Sequence, residues 1–189
     1  MLYHASPVPN LTELSPKISN HMKPLIYFSE KRENVLVYLS NAVEKCCREQ
    51  NFSHNGIYRK WGSYGFNSDG ILILDEYWLN ATRETYKGVS GYIYSVPGGI
   101  GIACLNEIPF VRTCDKPIPV AGCEYIPDAY EALLTAAAEG RIILTNYKDN
   151  SPEKNHWIRE TISNEYRNAK GSPEYRFFLK NKFEFIPEE

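Results

Sequence analysis

Short runs of aliphatic and aromatic residues, spaced along the chain, constrain its fold more than any other feature. Runs of this composition, some with partial alternation, are typical of sheet strands. They predict strands at residues 2–5, 25–28, 70–74, 91–96, 123–126 and 141–147. Between the first two, Pro7, Pro9, Pro16 and Pro24 predict an irregular loop, because proline lacks the backbone N–H that regular structure uses.

Helical patterns lie between and after these strands. Apolar residues recur at helical spacing from Val35 to Cys46, and Ser29 offers an N-cap, so one amphipathic helix is predicted over about residues 30–49. Tyr38 should lie on its apolar face. Late in the chain, Ser151 and Pro152 predict the start of a helix that reaches about residue 169, and another is predicted to open at Pro173.

One further helix should begin at Asp128, since Glu131 three residues later completes a capping box, and should end at Gly140. Leu133 and Leu134 are expected on its buried stripe. Strands clustered in the middle of a chain and bracketed by helices are typical of an α+β domain. A length of 189 residues is usual for one domain, so we expect residues 1–189 to form a single domain.

Composition narrows the class of protein. A net charge of −2 and a pI near 6.1 give no general attraction to nucleic acid, and no segment is apolar over the length of a membrane span. No secretory signal is visible, so a cytoplasmic location is expected. The five cysteines have no disulfide or metal-site spacing, and we expect reduced thiols, mostly buried, and no bound metal.

Candidate site residues lie in separated segments: His4, Tyr27 with Tyr38 eleven positions later, and Glu124. An aromatic face attracts a planar cation such as the nicotinamide ring of NAD by about 0.5–2 kcal/mol, depending on desolvation. An imidazole can donate or accept a hydrogen bond with a ribose hydroxyl at neutral pH. A fixed carboxylate stabilises the positive charge that develops on the ribose when its bond to nicotinamide breaks. These residue types therefore suit NAD cleavage.

The order and spacing of these residues resemble the His-Tyr-Glu signature of NAD-dependent ADP-ribosyltransferases of the poly(ADP-ribose) polymerase-like class. In that family a histidine precedes glycine and a serine or threonine, and a tyrosine-phenylalanine strand leads into a helix that carries a second tyrosine. A glutamate then opens a later strand. The matching places here hold His4-Ala5-Ser6, Tyr27-Phe28 and Glu124, so the resemblance spans roughly residues 2–145.

The resemblance implies a split, mainly antiparallel β-sheet core surrounded by helices, with NAD in the cleft between the sheet halves. It implies that His4 contacts the adenosine ribose, that Ala5 and Ser6 belong to the cofactor site, and that Tyr27 and Tyr38 sandwich the nicotinamide. Glu124 would be the catalytic residue. The implied activity is mono-ADP-ribosyl transfer from NAD, used as substrate, to an unknown acceptor: a protein, a nucleic acid or a small molecule.

Two departures from the family pattern concern the nicotinamide amide. Ala5 replaces the glycine whose backbone binds this amide, and its methyl group crowds the ring and restricts the backbone. Val35 occupies the place where many members have a serine that bonds the same amide. Both losses leave open a second interpretation, a catalytically weak or inactive module that binds NAD or ADP-ribose.

A third interpretation is a protein-interaction domain in which the tyrosines are simply part of the core. Tyr38 on an apolar helix face and Tyr27 in a buried strand are explained equally well by core packing. In that case the partner surface could be the aromatic segment at residues 61–66, which we expect to be a loop able to stack a ligand or pack onto the core.

Overall fold

A computed structural model of the protein describes residues 1–18, 23–54, 62–99, 101–104 and 108–187. In these residues the strands are β1 (Leu2–Ser6), β2 (Glu13–Leu14), β3 (Lys17–Ile18), β4 (Pro24–Ser29), β5 (Tyr64–Phe66), β6 (Leu72–Leu74), β7 (Gly91–Val96), β8 (Ala103–Cys104), β9 (Val111–Cys114), β10 (Ile118–Pro119), β11 (Gly122–Ile126) and β12 (Ile142–Leu144).

The helices bracket the strands. They are α1 (Ala42–Glu49), α2 (Ala81–Tyr86), α3 (Ala129–Ala138), α4 (Pro152–Asn168) and α5 (Pro173–Lys182), with 3-10 helices at Arg32–Tyr38 and Tyr147–Asp149. The predicted α+β class is confirmed. No helix of the described ranges is both long and apolar enough to cross a membrane.

The largest sheet has the strand order β11-β7-β1-β4-β9-β8, with β3 also on β4, and all its pairs are antiparallel. β1 pairs with β7 along its whole length, from Leu2 opposite Val96 to Ser6 opposite Tyr92. Its register with β4, in contrast, consists of Tyr3 opposite Ser29. The pairing between β1 and β4, the strands that carry His4 and Tyr27, is therefore the shortest in this sheet.

Two smaller sheets complete the strand structure. The order β12-β6-β5 combines a parallel pair, β12 with β6, and an antiparallel pair, β5 with β6; β10 and β2 form an antiparallel pair. Part of the predicted loop at residues 61–66 is thus strand β5, while Trp61 lies outside the described residues. Gly70 was predicted to open a strand but has φ +70 and ends a turn in which its N–H bonds the Asn67 carbonyl.

The helix predicted over residues 30–49 is two helices, and this prediction was wrong. Arg32–Tyr38 is a 3-10 helix, and α1 begins only at Ala42. Val35 and Leu36 are buried in the core under the large sheet, whereas Val43 is buried in a second core with α4 and α5. A straight helix cannot direct its apolar residues into two separate cores, so the helix is interrupted between Tyr38 and Ala42.

The later helices begin where they were predicted, with one difference in capping. The Ser151 hydroxyl caps α4 by accepting from the Lys154 N–H at 3.2 Å, and Pro173 begins α5. The Asp128 carboxylate caps α3. Glu131, however, does not complete the predicted capping box: its carboxylate pairs with Lys87 at 2.5 Å. Leu134 is 38% exposed, so its predicted burial was wrong as well.

Three apolar clusters fill the interior. The first lies between one face of the large sheet, the Arg32–Tyr38 helix, α3 and the β6–β12 pair. The second joins α1, α4 and α5, and the third covers the opposite face of the large sheet beneath β2. Cys46, Cys47 and Cys114 are buried and Cys104 and Cys123 exposed, as free thiols, in line with the sequence expectation.

Candidate functional site

Tyr27 and Tyr38, which are eleven positions apart in sequence, line the same pocket. We call it the tyrosine pocket. Tyr27 comes from β4 and Tyr38 from the end of the 3-10 helix that follows it. The cavity is about 20 Å³ and is lined by Tyr27, Phe28, Ser29, Asn34, Tyr38, Tyr64, Phe66 and Val111. A volume of this size holds about one water molecule.

Tyr64 of β5 closes one side of the tyrosine pocket. Its hydroxyl is 2.8 Å from the Tyr38 hydroxyl, and the two rings meet edge to face with centroids 5.8 Å apart. Burial, with the neighbouring Tyr64 as a second cause, raises the pKa of Tyr38 well above its usual range, so this phenol is neutral at physiological pH. The sequence marked residues 61–66 as able to stack a ligand, but nothing in it placed Tyr64 against Tyr38.

His4 is tied to the strand that carries Tyr27. Its Nδ1 lies 2.9 Å from the Tyr27 carbonyl oxygen, and its ring packs edge-on against Phe28 with centroids 6.2 Å apart. Because a carbonyl only accepts, Nδ1 carries the proton in this bond, and Nε2 of the neutral ring is then an acceptor. The bond forms just beyond Tyr3 and Ser29, the paired residues of β1 and β4.

The next two residues of β1 are buried. Ala5 is 2% exposed and its methyl group belongs to the core under the sheet. Ser6 is 8% exposed, and its hydroxyl accepts from the Val8 N–H at 3.2 Å. Neither residue is among those that line the tyrosine pocket.

Glu124 lies on β11 and is held by an arginine that sequence reasoning did not select. Its carboxylate accepts from Arg32 Nε at 2.8 Å and from Arg32 Nη2 at 2.5 Å, a two-bond pair. This hydrogen bonding lowers the pKa of Glu124 and raises the pKa of Arg32. The Glu124 side chain is 49% exposed, so a ligand can reach the carboxylate while it is paired.

Further ion pairs extend from Arg32 along the start of the 3-10 helix. Arg32 is 4.0 Å from Glu33, Glu33 pairs with Arg141, and Arg141 pairs with Glu139. The series links the helix to the segment after α3. It therefore helps to fix the helix that carries Arg32 at one end and Tyr38 at the other.

The structure thus brings some of the predicted residues together and keeps one apart. Tyr27 and Tyr38 share a pocket, and His4 bonds the backbone of Tyr27. Glu124 is opposite Ile93, which is opposite Ala5, so two strands separate β11 from β4. With paired strands about 4.8 Å apart, three strand spacings put the Glu124 and Tyr27 backbones at least roughly 14 Å apart.

Asn34 is a pocket residue that sequence reasoning missed. In the α-helix predicted over residues 30–49, the resemblance directed attention to Val35, three residues before Tyr38. In the 3-10 helix that forms, Val35 is 1% exposed in the core and its neighbour Asn34 lines the tyrosine pocket. No pattern in the sequence indicates a 3-10 helix here, because its cause is the packing of this segment against the sheet and α3.

Comparison of the chain with models of protein families, with curated proteins and with solved structures finds no match. In the residues that the structure describes, no group of three or more His, Cys, Asp or Glu side chains could hold a metal ion.

Proposed function

We propose that the protein is an NAD-dependent mono-ADP-ribosyltransferase. The observation that carries this proposal is the tyrosine pocket, a cavity that Tyr27 and Tyr38 both line although they come from different elements. The hydrogen bond from His4 to the Tyr27 carbonyl adds the third motif residue to the same region. The resemblance to His-Tyr-Glu transferases, stated from sequence, supports the same interpretation.

In this proposal the nicotinamide ring binds between Tyr27 and Tyr38. The ring in NAD is cationic, so both aromatic faces attract it. A cavity of about 20 Å³ is too small for the ring, and of the aromatic side chains that line it Tyr64 is the exposed one, at 39%. Nicotinamide binding therefore displaces Tyr64 from Tyr38, which breaks one exposed hydroxyl contact and leaves the buried core in place.

Glu124 has the charge and the free lone pairs that the reaction needs. Its lowered pKa keeps the carboxylate ionised at neutral pH. Arg32 uses one lone pair on each oxygen, and a carboxylate oxygen offers about two, so each can still accept a bond from a ribose hydroxyl. His4, which bonds the Tyr27 carbonyl, is the residue that the resemblance assigns to the adenosine ribose.

The reaction breaks the bond between the anomeric carbon of the ribose and the nicotinamide nitrogen. The bonding electron pair leaves with nicotinamide, which becomes neutral, and the sugar develops positive charge that Glu124 stabilises. The acceptor's nucleophilic atom then bonds the anomeric carbon and loses its proton to solvent or to a base. The acceptor could be a protein, a nucleic acid or a small molecule, and the cytoplasmic location stays a prediction.

The test is release of nicotinamide from NAD by the purified protein, with and without candidate acceptors. Glu124→Gln keeps the size of the side chain but removes its charge, and we expect release to fall by about 10²–10³-fold. Glu131→Gln is the matched control, because Glu131 is also exposed and ion-paired, with Lys87. Equal release by the wild type and Glu124→Gln would exclude the proposed role of Glu124.

A second candidate function is an NAD-binding or ADP-ribose-binding module without turnover. The observation that favours it is the Arg32–Glu124 pair, because the guanidinium cation beside the ionised carboxylate offsets its attraction for a positively charged sugar. This module would show a rise in melting temperature with NAD, because a ligand that binds only the folded state stabilises it, but no nicotinamide release. If millimolar NAD produced neither a rise in melting temperature nor nicotinamide release, both candidate functions would be excluded.

A further inference from the structure

Asn34 has a buried side-chain amide with no hydrogen-bond partner among the described residues. The residue is 5% exposed, and neither Nδ2 nor Oδ1 makes a hydrogen bond there. Buried polar side chains in folded proteins nearly always have partners, and leaving one without a partner costs about 1–3 kcal/mol. An amide in this state, in a helix packed against the sheet, points to a partner that joins it from outside the chain.

The position of Asn34 shows where that partner would bind. Asn34 lines the tyrosine pocket with Tyr27 and Tyr38, and its neighbour Val35 is directed into the core. Asn41 and Asn155 also have an unpartnered side-chain oxygen, but neither lines this pocket. Once Tyr64 has moved, a planar ring bound between the two tyrosines would have its substituents beside Asn34, which lines the same cavity.

We propose that Asn34 recognises the carboxamide group of nicotinamide. This inference rests on the proposed function. A primary carboxamide has one acceptor oxygen and one NH₂ donor, and the asparagine side chain has the same two groups, so each can donate to the other. Asn34 thus supplies an amide contact that Val35, the residue three positions before Tyr38, cannot make.

The chemistry also predicts selectivity against close analogues. Nicotinate has a carboxylate in place of the carboxamide, so it can accept from Nδ2 but places a second negative oxygen near Oδ1. 3-Methylpyridine has the same ring without either polar group. We therefore expect the wild type to bind nicotinamide at least about tenfold more tightly than either analogue, since about 1.4 kcal/mol per lost contact is tenfold.

The experiment is an NMR titration of the protein with nicotinamide, nicotinate and 3-methylpyridine, for the wild type and Asn34→Leu. We expect Asn34→Leu to weaken nicotinamide binding about tenfold or more and to leave 3-methylpyridine binding within twofold. The melting temperature without ligand should be unchanged or higher, because replacement of an unpaired buried amide by an apolar group is neutral or stabilising. If Asn34 were instead hydrogen-bonded within the protein and purely structural, Asn34→Leu would lower the melting temperature.

Two further variants complete the experiment: a control at another asparagine and an alternative substitution of Asn34. Asn155→Leu replaces a half-buried amide on α4 whose Oδ1 also has no partner among the described residues, and it should leave nicotinamide binding unchanged. Asn34→Ser retains one hydroxyl in a smaller side chain, so it tests the contact if Asn34→Leu does not fold, and it should weaken nicotinamide binding by an intermediate factor.

Failure of this inference is distinguishable from failure of the proposed function. Nicotinamide binding of equal strength in the wild type, Asn34→Leu and Asn34→Ser would overturn the role of Asn34 while NAD cleavage still stands. Tighter binding of adenosine than of nicotinamide in the pocket would also overturn the role of Asn34. A wild type that neither binds nor cleaves NAD would refute the proposed function, and the role of Asn34 with it.

Discussion

The tyrosine pocket and the helical core of α1, α4 and α5 differ in the exposure and the hydrogen bonding of their side chains. In the helical core Phe178 and Leu179 are fully buried, and the Phe178 ring meets Trp78 at a centroid distance of 6.1 Å. In the tyrosine pocket Tyr64 is 39% exposed, and the Asn34 amide has no partner in the described chain. Empty space does not distinguish the two regions, because a larger cavity of about 280 Å³ borders the helical core beside Cys46, Trp78 and Phe178. Proteins commonly accept lower local stability where they bind ligands. Under the proposed function, the helical core stabilises the fold and the tyrosine pocket binds the ligand.

The largest expected effect tests the helical core. Phe178→Ala removes a fully buried ring and should lower the free energy of unfolding by about 3–5 kcal/mol. Leu134→Ala, at a 38% exposed position on α3, is the control and should change it by about 0.5 kcal/mol or less. Urea denaturation measures both. The folded Phe178→Ala protein should bind NAD as the wild type does, and a loss of binding at temperatures where it is folded would remove the distinction between the two regions.

A smaller effect is expected in the tyrosine pocket itself. Tyr38→Leu removes an aromatic face and should weaken NAD binding by about 0.5–2 kcal/mol, which is roughly 2- to 30-fold. Tyr38→Phe keeps the face and loses only the hydroxyl that contacts Tyr64 at 2.8 Å, so its affinity should stay within about twofold. Calorimetric titration with NAD compares the two. Equal affinities for both variants would show that Tyr38 is a packing residue.

The smallest effect concerns the Arg32–Glu124 pair. The pKa of Glu124 is lowered in the folded protein, so the pair contributes stability above the usual glutamate pKa of about 4.3, and that contribution is lost as pH falls through the lower folded value. The carboxylate is 49% exposed, so solvent screening limits the contribution to about 1 kcal/mol or less. In Arg32→Met the pKa of Glu124 should return towards its usual value.

NMR titration of the Glu124 carboxyl group between about pH 2 and 7 measures this change. Arg112→Met is the matched control, because it removes a similar ion pair, with Glu30 at 2.5 Å, from another part of the sheet. It should leave the titration of Glu124 unaltered. An identical Glu124 titration in the wild type and Arg32→Met would show that the pair does not control this carboxylate.

Local patterns predicted the elements whose boundaries depend on nearby residues. Ser151 and Pro152 mark the start of α4, Asp128 caps α3, and the aromatic run at Gly91–Val96 is strand β7, because caps and strand propensity act over a few residues. Predictions failed where a distant residue competes. Glu131 pairs with Lys87 in place of closing a capping box. The segment at residues 30–49 divides because its halves pack into different cores.

By itself the sequence determined the α+β class, the strands that carry His4, Tyr27 and Glu124, and the eleven-residue spacing of the two tyrosines. These follow from composition, periodicity and turn chemistry, which are local. Only the tertiary structure decided that Tyr64 closes the pocket, that Arg32 holds Glu124, and that Asn34 lies beside the tyrosines while Val35 is in the core. Such contacts join residues far apart in sequence, or depend on helix geometry that packing imposes, and local patterns do not encode them.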